Sequence, residues 1–131
     1  GGAGLADLVG AIDATVSRAR ACGGEVAGLA ASLAAAVRRV AEVTATLWQA
    51  GDPEVTLANA SIYLEAVGHV VVAWMWLEQR LAAGESPGAF YDGKRQATRY
   101  FFGYELPRVH PQLDLLASLD RTTLDMADGW F

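Results

Sequence analysis

Ala66-Val67-Gly68-His69-Val70-Val71-Val72-Ala73-Trp74-Met75-Trp76-Leu77 is the stretch on which the reading of the fold turns. At a helical period of about 100° per residue it is apolar on every side except at His69. A helix apolar all round is buried all round, so the segment predicts either the central helix of a bundle or a helix held between the bundle and another surface. Asp52-Pro53 marks its start, with an N-cap acceptor followed by proline in the first turn, and the helical pattern continues to about Ala83.

Working outward, Cys22-Gly23-Gly24, Gly51-Asp52-Pro53 and Gly84-Glu85-Ser86-Pro87-Gly88 divide the chain into four helical segments. No segment reads as a strand. The first helix sets Leu5, Leu8, Ile12, Val16 and Ala19 on one face. The second, from about Glu25 to Ala50, repeats Val26, Leu29, Leu33, Val37, Val40, Thr44 and Leu47 near the 3.5-residue period of a bundle seam, among alanines that favour helix and allow close approach. The fourth carries two stripes. Phe90, Gly93, Ala97, Phe101 and Tyr104 form one, and Tyr91, Thr98 and Phe102 form another roughly 110–120° away.

One stripe of the fourth helix can fill the core while the other meets a second surface. The expected interface residues are Tyr91, Thr98 and Phe102, so Phe102→Asp is expected to weaken docking more than it unfolds the bundle. Pro107 ends or kinks this helix, Val109 to Leu119 continue it, and a polar tail follows from Asp120 to Phe131. The expected fold is all-α: one antiparallel four-helix bundle over residues 1–131, its last helix kinked near Pro107, with a short C-terminal tail.

A chain of 131 residues suits one domain with one core. With 53% hydrophobic and only 19% charged residues, it is expected to bury surface against partners as well as within itself. The net charge of −5, with no face that collects Lys and Arg, argues against nucleic acid. Cys22 is the only cysteine, which excludes an intrachain disulfide and fits a reducing cytosol; it reads as a small, partly buried helix residue. There is no basic n-region followed by a cleavable apolar segment, and the chain opens on Gly1-Gly2 without methionine, as an excised or processed segment does. Val55 to Leu77 could mimic a membrane span, but Asn59, Ser61, Glu65 and His69 lie along it, so a buried protein helix is expected instead.

The chemistry-bearing residues assemble no catalytic set. Glu65 and His69 share a helix face, yet a carboxylate-bridged metal site needs two Glu-x-x-His pairs, and the chain has only His69 and His110. His69 reads as a hydrogen-bonded core residue and His110 as a helix-end or turn residue. Gly23-Gly24 follows a helix rather than a strand and makes no phosphate cradle, and Asn59-Ala60-Ser61 matches a glycosylation acceptor only formally. Lys94, Arg95 and Arg99 read as a solvated, salt-bridged face with Asp92 and Glu105 near them. Trp74, Trp76, Tyr100, Phe101 and Phe102 read as core and interface rather than as a ligand pocket.

The run Leu57-Ala58-Asn59-Ala60 into Tyr63-Leu64, the apolar helix ending Trp74-Met75-Trp76-Leu77, Phe90-Tyr91 with Lys94 and Ala97, Arg99-Tyr100-Phe101 and Leu106-Pro107 together resemble the C-terminal helical domain of a bacterial subgroup of acyl-CoA dehydrogenases. The match is specific after Asn59; the first half fits as a pair of amphipathic helices. The resemblance implies a larger, cytoplasmic flavoenzyme that oxidises an acyl-CoA thioester to the 2,3-enoyl-CoA. In it a glutamate base takes the α-proton, FAD takes the β-hydride, and electrons pass to an electron-transfer flavoprotein. Base and flavin site belong to the preceding domains of such enzymes, so no catalytic residue, no FAD ligand and no metal ligand is carried onto this chain. The implied role is architectural: packing on the catalytic core of its own chain, at a homo-oligomer interface or at the edge of the flavin site. The alternatives are a free-standing helical interaction module that homodimerises, and a small bundle that holds an apolar ligand between its helices.

Overall fold

The structure is a computed structural model that describes residues 2–130. Its helices are α1 (Gly2–Ala21), α2 (Gly24–Ala50), α3 (Pro53–Ala58), α4 (Ala60–Ala83), α5 (Ala89–Tyr100) and α6 (Val109–Ala117). A π-helical segment, Phe101–Glu105, and a 3₁₀ turn, Leu106–Arg108, join α5 to α6. No strand occurs among the described residues. As the sequence predicts, α1, α2, α4 and the kinked α5–α6 unit form a four-helix bundle.

α2 is the spine of this arrangement, packing on α1, α4 and α6. Its inner face is Val26, Ala30, Leu33, Val37, Val40, Val43 and Leu47, all buried, while Leu29 and Thr44 of the expected seam sit half-buried beside it. Opposite stand Ile12, Val16 and Ala19 of α1, Ala66, Val70, Ala73 and Leu77 of α4, and Val109, Leu113 and Leu116 of α6. The alanines let the helix backbones approach closely. The α1–α2 reversal is made by Gly23 and Gly24, with φ of 68° and 53°, a left-handed pair that side-chain-bearing residues resist.

Two expectations about the third helix are corrected. The helix breaks at Asn59, whose φ of −118° and ψ of 27° leave the α region. Asparagine competes with the helix for backbone partners; here its side chain donates to Asp120 O at 3.2 Å and ties the C-terminal tail to the bundle. The buried Asn59 also bears out the formal character of the glycosylation match.

The second correction concerns α4, which is not buried all round. Only 22% of its most apolar 18-residue window is inside, although it is long and apolar enough to cross a membrane by length and composition. α4 contacts every other long helix of the bundle along one arc, and its opposite arc has no neighbour within the chain.

The kink near Pro107 is resolved as a register change. Proline has no N–H, and its ring collides with the carbonyl four residues back. The ladder widens ahead of it: Leu106 N–H bonds Phe101 O, an i→i+5 closure. Past this segment the inward stripe of α6 runs back through Leu106 and Phe102 to Thr98, all buried.

Candidate functional site

The stripe expected to face outward therefore faces inward. Thr98 is fully buried and Phe102 is 7% exposed, so of Tyr91, Thr98 and Phe102 only Tyr91 remains at the surface. Thr98 Oγ1 donates to Lys94 O at 2.8 Å and packs against the α4 backbone at Trp76. The other stripe supplies the exposed aromatics, with Phe90 at 69% and Tyr104 at 71%. Two apolar stripes of similar size leave the inward one undetermined from α5 alone. The register that continues into Leu106, Val109, Leu113 and Leu116 is the signal that selects it.

The titratable candidates settle into structural roles. Glu65 is exposed and does not share a ligand set with His69. The imidazole instead bonds Glu65 O at 3.2 Å through Nδ1 and Glu105 Oε2 at 3.3 Å through Nε2, and lies tilted against Phe101 at 6.0 Å. Arg108 donates to the same Glu105 oxygen at 3.3 Å. His69, Glu105 and Arg108 thus brace α4 to the π segment. No group of three or more metal-ligating side chains occurs among the described residues. His110 is exposed. Cys22 is exposed rather than partly buried, because it sits at the open α1–α2 turn.

The basic residues of α5 are engaged: Arg99 is exposed and salt-bridged as expected, while Lys94 and Arg95 are less solvated. Arg95, with a side chain only 12% exposed, holds Gly84 O at 3.0 Å, Ser86 O at 2.9 Å and Asp92 at 2.7 Å. Arg80 reaches Gly84 O from α4 at 2.9 Å, so two guanidinium groups clamp the α4–α5 loop. Arg99 pairs with Glu25 at 2.9 Å, and Lys94 donates to Gln79 at 2.7 Å with its ammonium over the rings of Trp76 and Phe90, 5.7 and 5.4 Å from their centroids. On the other flank of α4, buried Thr15 accepts from Trp74 Nε1 at 2.7 Å and donates to Glu78, which also pairs with Arg18. These contacts fix the helices to one another.

What remains is surface chemistry. The outer faces of α1 and α2 carry Asp7, Asp13, Arg20, Arg38 and Glu42, and α5 carries exposed Asp92 and Arg99, while exposed large apolar side chains gather in patches. One patch follows the outer arc of α4, where Leu64 is 68% and Met75 54% exposed. A second lies at the α2–α3 corner: Trp48 and Leu57, 71% and 70% exposed, flank an apolar groove of about 320 Å³ floored by Leu47, Pro53 and Thr56. Exposed apolar area gathered in patches on a domain marks a surface that another molecule or domain covers.

Sequence comparison agrees with this architecture. A family model described as acetyl-CoA dehydrogenase C-terminal like matches residues 8–127, nearly the whole chain. The chain belongs to that family, the C-terminal helical domain of acyl-CoA dehydrogenase-like proteins. Comparison with curated proteins and with solved structures gives no match.

Proposed function

We propose that this chain is the accessory C-terminal domain of an FAD-dependent acyl-CoA dehydrogenase, and that it acts by packing on the catalytic portion of its own polypeptide. The family match over residues 8–127 carries the reading. The exposed apolar side chains along α4 and at the α2–α3 corner support it, since a domain that docks permanently keeps an apolar surface for its neighbour. The α2–α3 corner is the docking site in this reading: Trp48 and Leu57 stand out from a rigid bundle end and can enter a complementary pocket, as anchoring aromatic residues do.

In the parent enzyme the flavin supplies the redox chemistry and a base in the catalytic portion takes the α-proton; electrons leave to an electron-transfer flavoprotein in the cytoplasm. The residues of this chain act by packing. They hold the catalytic portion in its working shape and exclude water from the surface they cover.

The test compares the whole gene product with versions lacking this domain or carrying Trp48→Asp with Leu57→Asp. Flavin content, thermal midpoint and acyl-CoA-dependent reduction of an electron acceptor are measured on each. Loss of bound flavin or a lowered midpoint in both altered forms supports the reading. Unchanged flavin, midpoint and turnover after removal of the domain would sink it.

A further inference from the structure

We infer that the end of the bundle where α1 turns into α2 and α4 runs out carries a binding site for a tetrahedral oxyanion, and that its ligand is an organic phosphate monoester. A cavity of about 520 Å³ opens there between the Cys22–Val26 turn and the Arg80–Glu85 end of α4. Counted from Gly24 to Trp48 at about 1.5 Å per residue, it lies roughly 36 Å from the α2–α3 corner, so this site is separate from the docking surface.

Arg80 is the residue that points to a ligand. Its side chain is 8% exposed, and its Nε is buried with no hydrogen-bond partner among the described residues. Orphaned buried donors are rare in folded proteins, and a buried charge is normally paired. The pairing within the chain is poor: Nη2 reaches Glu85 at 3.5 Å, and that carboxylate is 92% exposed. Nη1 is engaged with Gly84 O at 2.9 Å. A buried guanidinium with one donor unused and its counter-charge out in water calls for an anion at the wall it lines.

The start of α2 provides a second set of donors on the facing wall. Its N-cap is Gly23, which has no side chain to accept from the first turn, and among the described residues nothing accepts from the N–H groups of Gly24, Glu25 or Val26. Such a helix start carries roughly half a positive charge and directs its free N–H groups at whatever lies before it. The acids beside the cavity leave these donors free. Glu25 is held by Arg99 at 2.9 Å, and Glu85 projects into solvent. Arg95 brings a second guanidinium to Gly84 O at 3.0 Å and is itself paired with Asp92.

The donors define the chemistry of the group they would hold. A carboxylate pairs best with a two-pronged guanidinium, but both Nη atoms of Arg80 are already turned to Gly84 and Glu85. A lone Nε on one wall and successive backbone N–H groups on the other suit an oxyanion that accepts from several directions, as phosphate does. The volume is that of a small-molecule site rather than of a bare ion, and Val26 and Leu81 line it with apolar surface for an organic body.

Cys22 makes the site readable, since its thiol is exposed and lines the same cavity. In the whole gene product, alkylation of Cys22 by N-ethylmaleimide is followed by peptide mass spectrometry against rising inorganic phosphate and, separately, phenyl phosphate, with potassium chloride at matched ionic strength as control. Phosphate should slow the alkylation saturably, by about fivefold once the thiol is covered, and phenyl phosphate should do so at lower concentration. Chloride should leave the rate unchanged. Arg80→Met should abolish the protection. Because that substitution also loosens the Gly84–Gly88 loop, Glu85→Gln supplies a change of opposite sign: it removes an exposed acid beside the donors, leaves the fold intact, and should lower the half-protecting concentration by about twofold to fivefold.

Alkylation indifferent to phosphate, protection that chloride reproduces, or protection that Arg80→Met retains would overturn the proposal. So would a half-protecting concentration that Glu85→Gln leaves unchanged or raises. Equal potency of inorganic phosphate and phenyl phosphate would overturn the assignment to an ester. None of these readouts depends on flavin content or turnover, so the accessory-domain reading stands or falls separately.

Discussion

Phe102→Ala should unfold this bundle far more readily than Phe90→Ala, although both residues belong to apolar stripes of the same helix. Phe102 is 7% exposed and belongs to the main core cluster; Phe90 is 69% exposed. A phenylalanine side chain carries roughly 200 Å², and at about 25 cal/mol per Å² its nearly complete burial contributes at most about 4.5 kcal/mol. Compactness of the unfolded chain lowers this to about 3–4 kcal/mol, and the cavity left at a packed site restores part of the difference. The same arithmetic gives about 1 kcal/mol for Phe90. Against a total of about 5–15 kcal/mol for a domain, the first loss is a large fraction and the second a small one.

Urea unfolding followed by circular dichroism, with equal slopes for parent and variant, reads the difference in midpoint directly. Equal midpoints for the two variants, or a Phe102→Ala protein as stable as the parent, would refute the assignment of Phe102 to the core and return it to an outward stripe.

Three other changes probe separate parts of the structure. Gly68→Ala is expected to raise the stability of the monomeric chain by about 0.4–1 kcal/mol, because the added Cβ meets only open space; a rise in thermal midpoint checks it. Arg80→Ala should cost about 2–4 kcal/mol, since the 8%-exposed side chain both packs and bonds Gly84 O. Arg80→Met should recover roughly half of that by refilling the space without a buried unpaired Nε, and amide exchange across Gly84–Gly88 should speed up in both variants. Arg18→Ala should change stability by less than about 1 kcal/mol, because its pairing with Glu78 is solvent-exposed on both sides; a double-mutant cycle with Glu78→Gln measures the coupling.

Much of the bundle was legible because helical periodicity and glycine-proline punctuation are local properties. The seam of α2, the three interhelix glycine turns and the kink near Pro107 all come from residues within a few positions of one another. What was not legible depends on distant partners. The inward stripe of α5 is decided by α6 through the register of the π segment. The break at Asn59 is stabilised by a carbonyl of the tail, Asp120 O. The composition of α4 speaks of total apolarity and is silent on how many sides the chain itself can cover, so the helix reads as buried while one arc lies open. The family, by contrast, was carried by short local strings such as Arg99-Tyr100-Phe101 and Leu106-Pro107, which survive without any knowledge of packing.

The π segment gives the passage between Thr98 and Val109 a tolerance for length that the helices on either side lack. Its widened turn holds one residue more than an α-helical path over the same rise. Deleting a single residue there would remove that surplus and let the ladder close in ordinary steps with both flanking faces still aligned. Deleting one from a regular turn of α5 or α6 would instead swing the two sides by roughly 100° relative to each other and break the stripe that runs from Thr98 through Phe102 and Leu106 to Leu116. Natural variation in length among chains of this family is therefore expected to collect in the Gly84–Gly88 loop and at the π segment, a slack link that can take up or release one residue, and to spare the regular turns on either side.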